Sequence, residues 1–490
     1  MPRGTIIART AVLTALAIVL VACGGPPPPS GPVQVEIDGI ATEVLTSERF
    51  SGVYACAEEQ VDVRVTVGTT STGDDFVLVV PQRDWGGDLV VFAHGYRDPA
   101  VQAGFWETVP DDFPQVLDAL GDLSSGDLSG GVGQAMALAV CSFTVDLGFG
   151  DPLEKTPSAF AASSYSANGY AVEVAVPETH VLNALFPRYF PAPERTYVTG
   201  ASLGGLVALE LTERYPARYD GAMPVCGPVG GSPLQLSYVG HVELMFRYFY
   251  PDAFDEGSRR NIDLTVPIAP PYEDPEAGSA HGDSVVERIV DAVTADRETL
   301  DALGRVEFED SSGQRRPLLQ HDPADSDTLL RSVLEAFFFA AVGKADIVEL
   351  AGGFPFDNRD VTYYDDAGPI VDPVLDYRAD PAVRAYFEDH YEPTGQLQIP
   401  TVTVHNRFDP VVPAFHESAY DGLVTDEGWA ANLATAIVPF EGLGTRTVPF
   451  GHCAFAEEVV VAFAALSEWV ETGSRPFVLG TLAEEGDRLR

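Results

Sequence analysis

Arg195-Thr196-Tyr197-Val198-Thr199-Gly200-Ala201-Ser202-Leu203-Gly204-Gly205-Leu206-Val207 is the stretch that decides the fold. Residues 195–199 read as a short strand, and Leu206, Val207 and Leu209 open a helical pattern that ends near Pro216. Between them Gly200 and Gly204 frame Ser202. A serine on so sharp a strand-to-helix turn holds its hydroxyl exposed above a sheet. The flanking glycines are needed because side chains there would collide as the backbone reverses. The bland alternative for Ser202 is a helix N-cap at a Gly-rich turn.

Outward from this turn, strands alternate with helices. Val61 to Val67 alternates strictly, as a half-buried strand does. Phe76 to Val80 and Leu89 to Phe92 are denser apolar runs, suited to strands covered on both faces. Residues 121–133 are rich in Gly, Ser and Asp and read as a loop. A strand at Ala159 to Ser164 and a helix from about 171 to 186 precede the serine turn. Strands are then predicted at Ala222 to Val225, Thr401 to Val404 and around Thr445 to Val448, before a closing helix at about 455–470 with Gly473 as its stop. This rhythm predicts an α/β fold with a mostly parallel central sheet and helices on both faces.

Residues 227–398 break the rhythm. Val286, Ile289, Val290 and Val293 follow a Ser284/Glu287 capping pair, and Leu330, Val333, Leu334, Phe337, Phe338 and Ala341 form a second helical set. Asp380-Pro381 starts a third helix. The stretch enters after one strand and leaves before the next, so it is expected to be a mainly helical lid over the end of the sheet. The core is then 51–226 and 399–490. A separate domain remote from the site is the other possibility. Asp322, Asp325 and Asp327 read as a solvated helix start rather than a calcium loop, lacking its glycine turn and bidentate glutamate. Phe337-Phe338-Phe339 reads as helix core, with an apolar substrate pocket as the alternative.

The chain of 490 residues carries a formal charge of −44, and lysine is nearly absent. That sign excludes a nucleic-acid partner and disfavours an anionic polymer substrate. Acid-rich surfaces of this kind suit a salty medium that screens their self-repulsion. At the N-terminus, Arg3 and Arg9 flank the start of an apolar run, Ala11 to Val21, that is short for a permanent membrane span. The run ends in Leu20-Val21-Ala22-Cys23, which resembles the bacterial lipoprotein cleavage box. The resemblance implies a signal peptide over 1–22, lipidation of Cys23, a Pro-rich tether over 23–50, and a protein exported and membrane-anchored at the periplasmic or cell surface. An ordinary secretory signal is the alternative. Cys56, Cys141, Cys226 and Cys453 then remain, enough for two disulfides in three possible pairings, and no two of them show metal-site spacing.

A serine hydroxyl needs a base, and the base needs a group that fixes its tautomer. His405-Asn406-Arg407-Phe408-Asp409-Pro410 follows the strand at 401–404, and Pro449-Phe450-Gly451-His452-Cys453 follows the strand expected near Thr445. The order of serine, aspartate after a later strand and histidine after the last strand resembles the α/β-hydrolase superfamily. His94-Gly95-Tyr96, after an early strand, resembles that superfamily's oxyanion-hole turn. The resemblance covers about 75–226 and 399–472. It implies Ser202 as nucleophile, His452 as general base and acid, and Asp409 as the acid that orients it. It places the oxyanion donors at the backbone N–H groups of Leu203 and Tyr96, the Tyr96 phenol being the other option. His405 and His416 are the rival histidines, and Asp365, Asp366 and Asp376 the rival acids; Asp409 could instead brace its loop with Arg407. His94 reads as a ligand of its own loop. Tannase and feruloyl-esterase relatives also place a cysteine after the histidine, bonded to one just before the serine. Ala201 stands there in this chain, so Cys226, expected at the same rim, is expected to pair with Cys453, leaving Cys56 with Cys141; two free buried thiols are the alternative. The implied activity is cleavage of carboxylic esters through an acyl-enzyme, with no organic cofactor or metal. The alternatives are a peptidase of the same fold, and a surface binding lipoprotein that has lost catalysis.

Overall fold

The computed structural model describes residues 33–475 except 57–58, 100–102, 107–109, 111, 113, 117–131, 146–152, 255–256, 266–286, 312, 324, 373–375, 391, 439–449 and 455–456. The signal peptide, Cys23, the Ser284 cap and the strand expected at Thr445 to Val448 lie outside the described residues.

The strands are β1 (Val33–Ile37), β2 (Ile40–Ala55), β3 (Gln60–Thr70), β4 (Asp75–Pro81), β5 (Asp88–Ala93), β6 (Phe143–Val145), β7 (Leu153–Lys155), β8 (Ala159–Ser163), β9 (Arg195–Ala201), β10 (Gly221–Val225), β11 (Glu307–Glu309), β12 (Arg315–Pro317), β13 (Thr362–Asp365), β14 (Gly368–Ile370), β15 (Thr401–Asn406) and β16 (Leu433–Val438). Ten of them form one sheet in the order β1-β2-β3-β4-β8-β5-β9-β10-β15-β16. From β8 to β16 every pairing is parallel, whereas β1 to β4 are antiparallel and β4 meets β8 antiparallel. Every residue of β4, β5, β8, β10, β15 and β16 is buried, as strands covered on both faces must be.

The helices are α1 (Val132–Val140), α2 (Val172–His180), α3 (Leu182–Tyr189), α4 (Leu203–Arg214), α5 (Ser232–Phe249), α6 (Arg297–Leu303), α7 (Asp327–Ala351), α8 (Pro381–His390), α9 (Phe415–Asp426) and α10 (Glu457–Thr472), with a further helical stretch at 287–295. Alternate residues of β9 face opposite cores. Tyr197 packs with α1 and α10, and Val198 with α2 and α4. Gly473, at φ +70°, closes α10 by donating its N–H to the Trp469 carbonyl.

Several features differ from the sequence reading. The tether expected over 23–50 is ordered strand from Val33, because β1 and β2 extend the sheet by pairing with each other and with β3. The helix expected over 171–186 is two helices, α2 and α3, meeting at Val181. The insertion is mainly helical, as expected, but it also carries β12-β11-β13-β14 as a separate antiparallel sheet that the sequence did not announce. It is not remote. Phe337, Leu300, Phe308 and Tyr363 of the insertion share one apolar cluster with Val198, Leu206 and Val207 of the serine turn.

Candidate active site

Ser202 sits at φ 57°, ψ −127°, between the last residue of β9 and the first of α4. A non-glycine residue holds this conformation only when its surroundings enforce it. Its N–H donates to the Val225 carbonyl at 2.9 Å, and its own carbonyl accepts from the Gly205 N–H at 2.8 Å. The glycine frame has a measurable reason. A Cβ on Gly204 would lie 2.1 Å from the Ala93 carbonyl oxygen, and one on Gly205 would lie 2.8 Å from the Gly227 Cα. The bare backbones let the ends of β5, β9 and β10 converge beneath the serine.

Asp409 follows β15 and is fully buried. Its Oδ1 accepts from the N–H groups of Val411 and Val412, both at 2.9 Å, which leaves Oδ2 turned to His452. His452 Nδ1 lies 2.8 Å from that Oδ2, and Nε2 lies 2.7 Å from Ser202 Oγ. With its proton on Nδ1, the ring donates to the carboxylate and accepts from the hydroxyl. The three groups come from loops beyond the carboxyl ends of β9, β15 and β16, on one rim of the sheet. The fold is that of the α/β-hydrolases.

Within this α/β-hydrolase core the histidine loop is strapped to the aspartate loop. Asn406 Nδ2 donates to the Gly451 carbonyl at 2.7 Å, Gly451 N–H donates to the Phe408 carbonyl at 3.1 Å, and Phe408 bridges Phe450 in parallel. The insertion holds the aspartate loop from its other side, where Tyr238 and Gln235 of α5 donate to the carbonyls of Pro410 and Val411. Cys226, at φ 44°, is bonded to Cys453, at φ 51°, so the residue after His452 is tied to the end of β10. Cys56 is bonded to Cys141. Both pairs are those expected from the sequence.

The rival histidines do not reach Ser202. His405 is buried between Glu417 at 3.0 Å and the Val412 carbonyl at 2.7 Å, with Asp409 Oδ2 3.8 Å away. Burial alone would lower its pKa, but Glu417 and Asp409 outweigh that and raise it. His416 accepts from the Gly230 N–H at 3.1 Å, and burial holds its ring neutral. Among the rival acids, Asp365 caps the turn at Ala367 and Asp366 pairs with Arg305, both in the insertion's small sheet. Asp376 is exposed.

Leu203 is the first residue of α4, so its N–H has no acceptor within the helix. Tyr96 lies two residues beyond His94, whose carbonyl oxygen would be 2.6 Å from a Cβ on Gly204. The His94-Gly95-Tyr96 turn and the serine turn therefore abut. The His94 ring is buried, stacked on Tyr165, with nitrogens 2.8 and 2.9 Å from the Gly95 and Ser164 carbonyl oxygens. Burial takes its pKa down to about 4, as suits a loop ligand. The Tyr96 ring packs edge-on against Phe339 of α7 at 5.4 Å. Phe337 is buried in the core against Phe246 and Phe254. The aromatic run thus divides, one ring to the core and one toward the site.

Asp325 accepts from the Asp327 N–H at 3.1 Å in the turn that starts α7. Among the described residues, one group of histidine, cysteine and carboxylate side chains stands close enough to share a metal, Cys226, His452 and Cys453. Its two sulfurs are bonded to each other and offer no thiolate. No described helix is long and apolar enough to cross a membrane.

No protein-family model and no curated protein sequence matches the chain. Solved structures do. The cell wall degrading esterase LipA of Xanthomonas oryzae aligns over 87% of this chain and 97% of its own, at 13% identity and TM-score 0.37. Feruloyl esterase B of Aspergillus oryzae aligns over 89% and 88%, at 12% identity and TM-score 0.42. Proline iminopeptidase of Mycobacterium smegmatis aligns over 86% and 100%, at 11% identity and TM-score 0.31.

One residue at the site escapes a reading of the sequence. Glu335 of α7 accepts from the His452 backbone N–H at 3.3 Å. Its partner is 117 residues away along the chain, and the only local signal is its i,i+4 pairing with Arg331.

Proposed function

We propose that this protein is a serine hydrolase that cleaves carboxylic esters through a covalent acyl-enzyme. The observation that carries the reading is the continuous relay from Asp409 Oδ2 through His452 to Ser202 Oγ, at 2.8 and 2.7 Å. Ser202 attacks the ester carbonyl while His452 Nε2 takes its proton, and Asp409 stabilises the imidazolium that results. The oxygen of the tetrahedral intermediate is held by the Leu203 and Tyr96 N–H groups, each such donor contributing about 3 to 4 kcal/mol. His452 then protonates the leaving alcohol, activates water on the acyl-enzyme and returns the proton to Ser202. No organic cofactor or metal enters these steps.

The test is labelling with a fluorophosphonate probe, followed by a panel of p-nitrophenyl esters of increasing acyl length beside peptide p-nitroanilides. Labelling lost in Ser202→Ala, with ester turnover far above amide turnover, supports the reading. Preferential amide turnover identifies a peptidase. No labelling of the folded wild type leaves a binding protein.

The N-terminal sequence supports a further part of the reading, a lipid anchor on Cys23 that tethers an exported enzyme to a membrane surface. Radiolabelled palmitate should enter the wild type and not Cys23→Ala. The charge of −44 supports neutral or cationic esters over anionic polymers, and no nucleic-acid partner.

A further inference from the structure

The insertion touches the catalytic loop through one helix face. Arg331, Glu335 and Phe339 recur every four residues on α7 and so line one side of it. Arg331 stacks over the Phe450 ring at 4.7 Å and donates to Glu335 at 3.1 Å. Phe339, one turn on, packs on Tyr96 of the oxyanion turn. Further along, Asp346 accepts from the Tyr170 N–H beside Gly169, whose N–H donates to the Arg97 carbonyl. Lys344 is buried against Glu243 of α5 at 2.6 Å. Several turns of α7 are therefore pinned to the core and to α5, which makes it a rigid element from which a side chain can fix a loop.

Three consecutive residues of the histidine loop each have a backbone group held by a side chain. Asn406 takes the Gly451 carbonyl, Asp409 accepts from the Cys453 N–H at 3.4 Å, and Glu335 accepts from the His452 N–H. The first two belong to the core. The third, on the catalytic residue itself, comes from the insertion. We propose that Glu335, steadied by Arg331, is a positioning residue for His452, so that the insertion completes the catalytic apparatus as well as bounding the cleft. This inference rests on the serine-hydrolase reading above.

The test uses the full chain as wild type, Glu335→Gln, Glu335→Ala and Arg331→Met. Each is assayed for kcat and KM on p-nitrophenyl butyrate, for fluorophosphonate labelling and for melting temperature. Misplacing a catalytic group by about an ångström costs up to roughly 100-fold, so Glu335→Ala should lose about 10- to 100-fold in kcat with KM within about twofold. Glu335→Gln keeps an acceptor oxygen at the same reach and should return to within about threefold of wild type. Arg331→Met, which frees the carboxylate, should fall between them. A Glu335→Ala enzyme with wild-type kcat overturns the proposal, as does a loss confined to KM or a Glu335→Gln enzyme as slow as Glu335→Ala. Should Glu335→Ala fail to fold, an unchanged kcat in Arg331→Met overturns it. Unlabelled, inactive wild type sinks the serine-hydrolase reading itself; an active wild type with a flat Glu335 series sinks this inference alone.

Discussion

Removing the Cys226–Cys453 bond separates stability from catalysis in a way that its sister bond provides a control for. The two disulfides span 227 and 85 residues. On the chain-entropy account they restrict the unfolded chain by about 5.5 and about 4.5 kcal/mol respectively. Cys226→Ser/Cys453→Ser and Cys56→Ser/Cys141→Ser should therefore lower the urea midpoint by similar amounts. Their effects on turnover should differ. Cys453 adjoins His452, and Cys226 lies beside the Val225 carbonyl that accepts from the Ser202 N–H. Loosening both sides of the Ser202–His452 contact should cut kcat at least about tenfold at a temperature where both variants are fully folded. The Cys56/Cys141 variant should keep wild-type kcat. The assay is ester turnover at low temperature beside circular dichroism of the same samples. Equal kcat losses in the two variants, or none in the first, would refute the claim that this bond serves the site.

Asp409→Asn should leave the fold intact and lower kcat roughly 10⁴-fold, because an amide no longer enforces the Nδ1–H tautomer or stabilises the imidazolium; a loss under tenfold in a stopped-flow assay would remove Asp409 from the relay. Gly204→Ala puts a Cβ 2.1 Å from a backbone oxygen of Ala93 and 2.6 Å from that of His94. Neither oxygen can swing aside, so soluble yield or labelling should collapse, and a fully labelled variant would contradict the packing described. Glu178 is buried and accepts from the Ser166 N–H at 2.8 Å, and desolvation raises its pKa from 4.5 to about 7. A carboxyl raised in the fold favours the folded state below its unfolded value, and that contribution is lost as pH climbs to about 7. Glu178→Gln should therefore match wild type near pH 4 and exceed its stability near pH 8, by at most about 3 kcal/mol. Parallel melting curves that never diverge between pH 4 and 8 would count against it.

The candidate site was legible where local rules act alone. The turn at Ser202 announces itself because a reversal that sharp admits only glycine where backbones touch. Asp409 and His452 could be found because their loops follow strands in a fixed order. The elements that sequence reading missed depend on neighbours. β2 is largely half-exposed and carries Glu43, Glu48 and Arg49, so nothing in its composition marks a strand until β1 and β3 flank it. β16, Leu-Ala-Thr-Ala-Ile-Val, is diluted by alanine, a poor strand former, and is secured by its pairing with β15. β11 and β12 are three residues each, with Glu307, Glu309, Arg315 and Arg316 among them. Their periodicity is too short to see, and cross-strand pairs such as Arg315–Glu309 hold them. Glu335 was invisible for a related reason, since the N–H it serves lies on a loop that only the complete fold brings to α7.

The distance along the chain between nucleophile and base has a temporal side. The serine is made 250 residues before the histidine. The bond that moors that histidine forms only where thiols can oxidise. A growing polypeptide carries the hydroxyl before its partner exists, and a finished chain kept in a reducing compartment would hold the histidine without that mooring and turn over more slowly. Full turnover by the proposed relay would come only after synthesis has finished and the surroundings have changed.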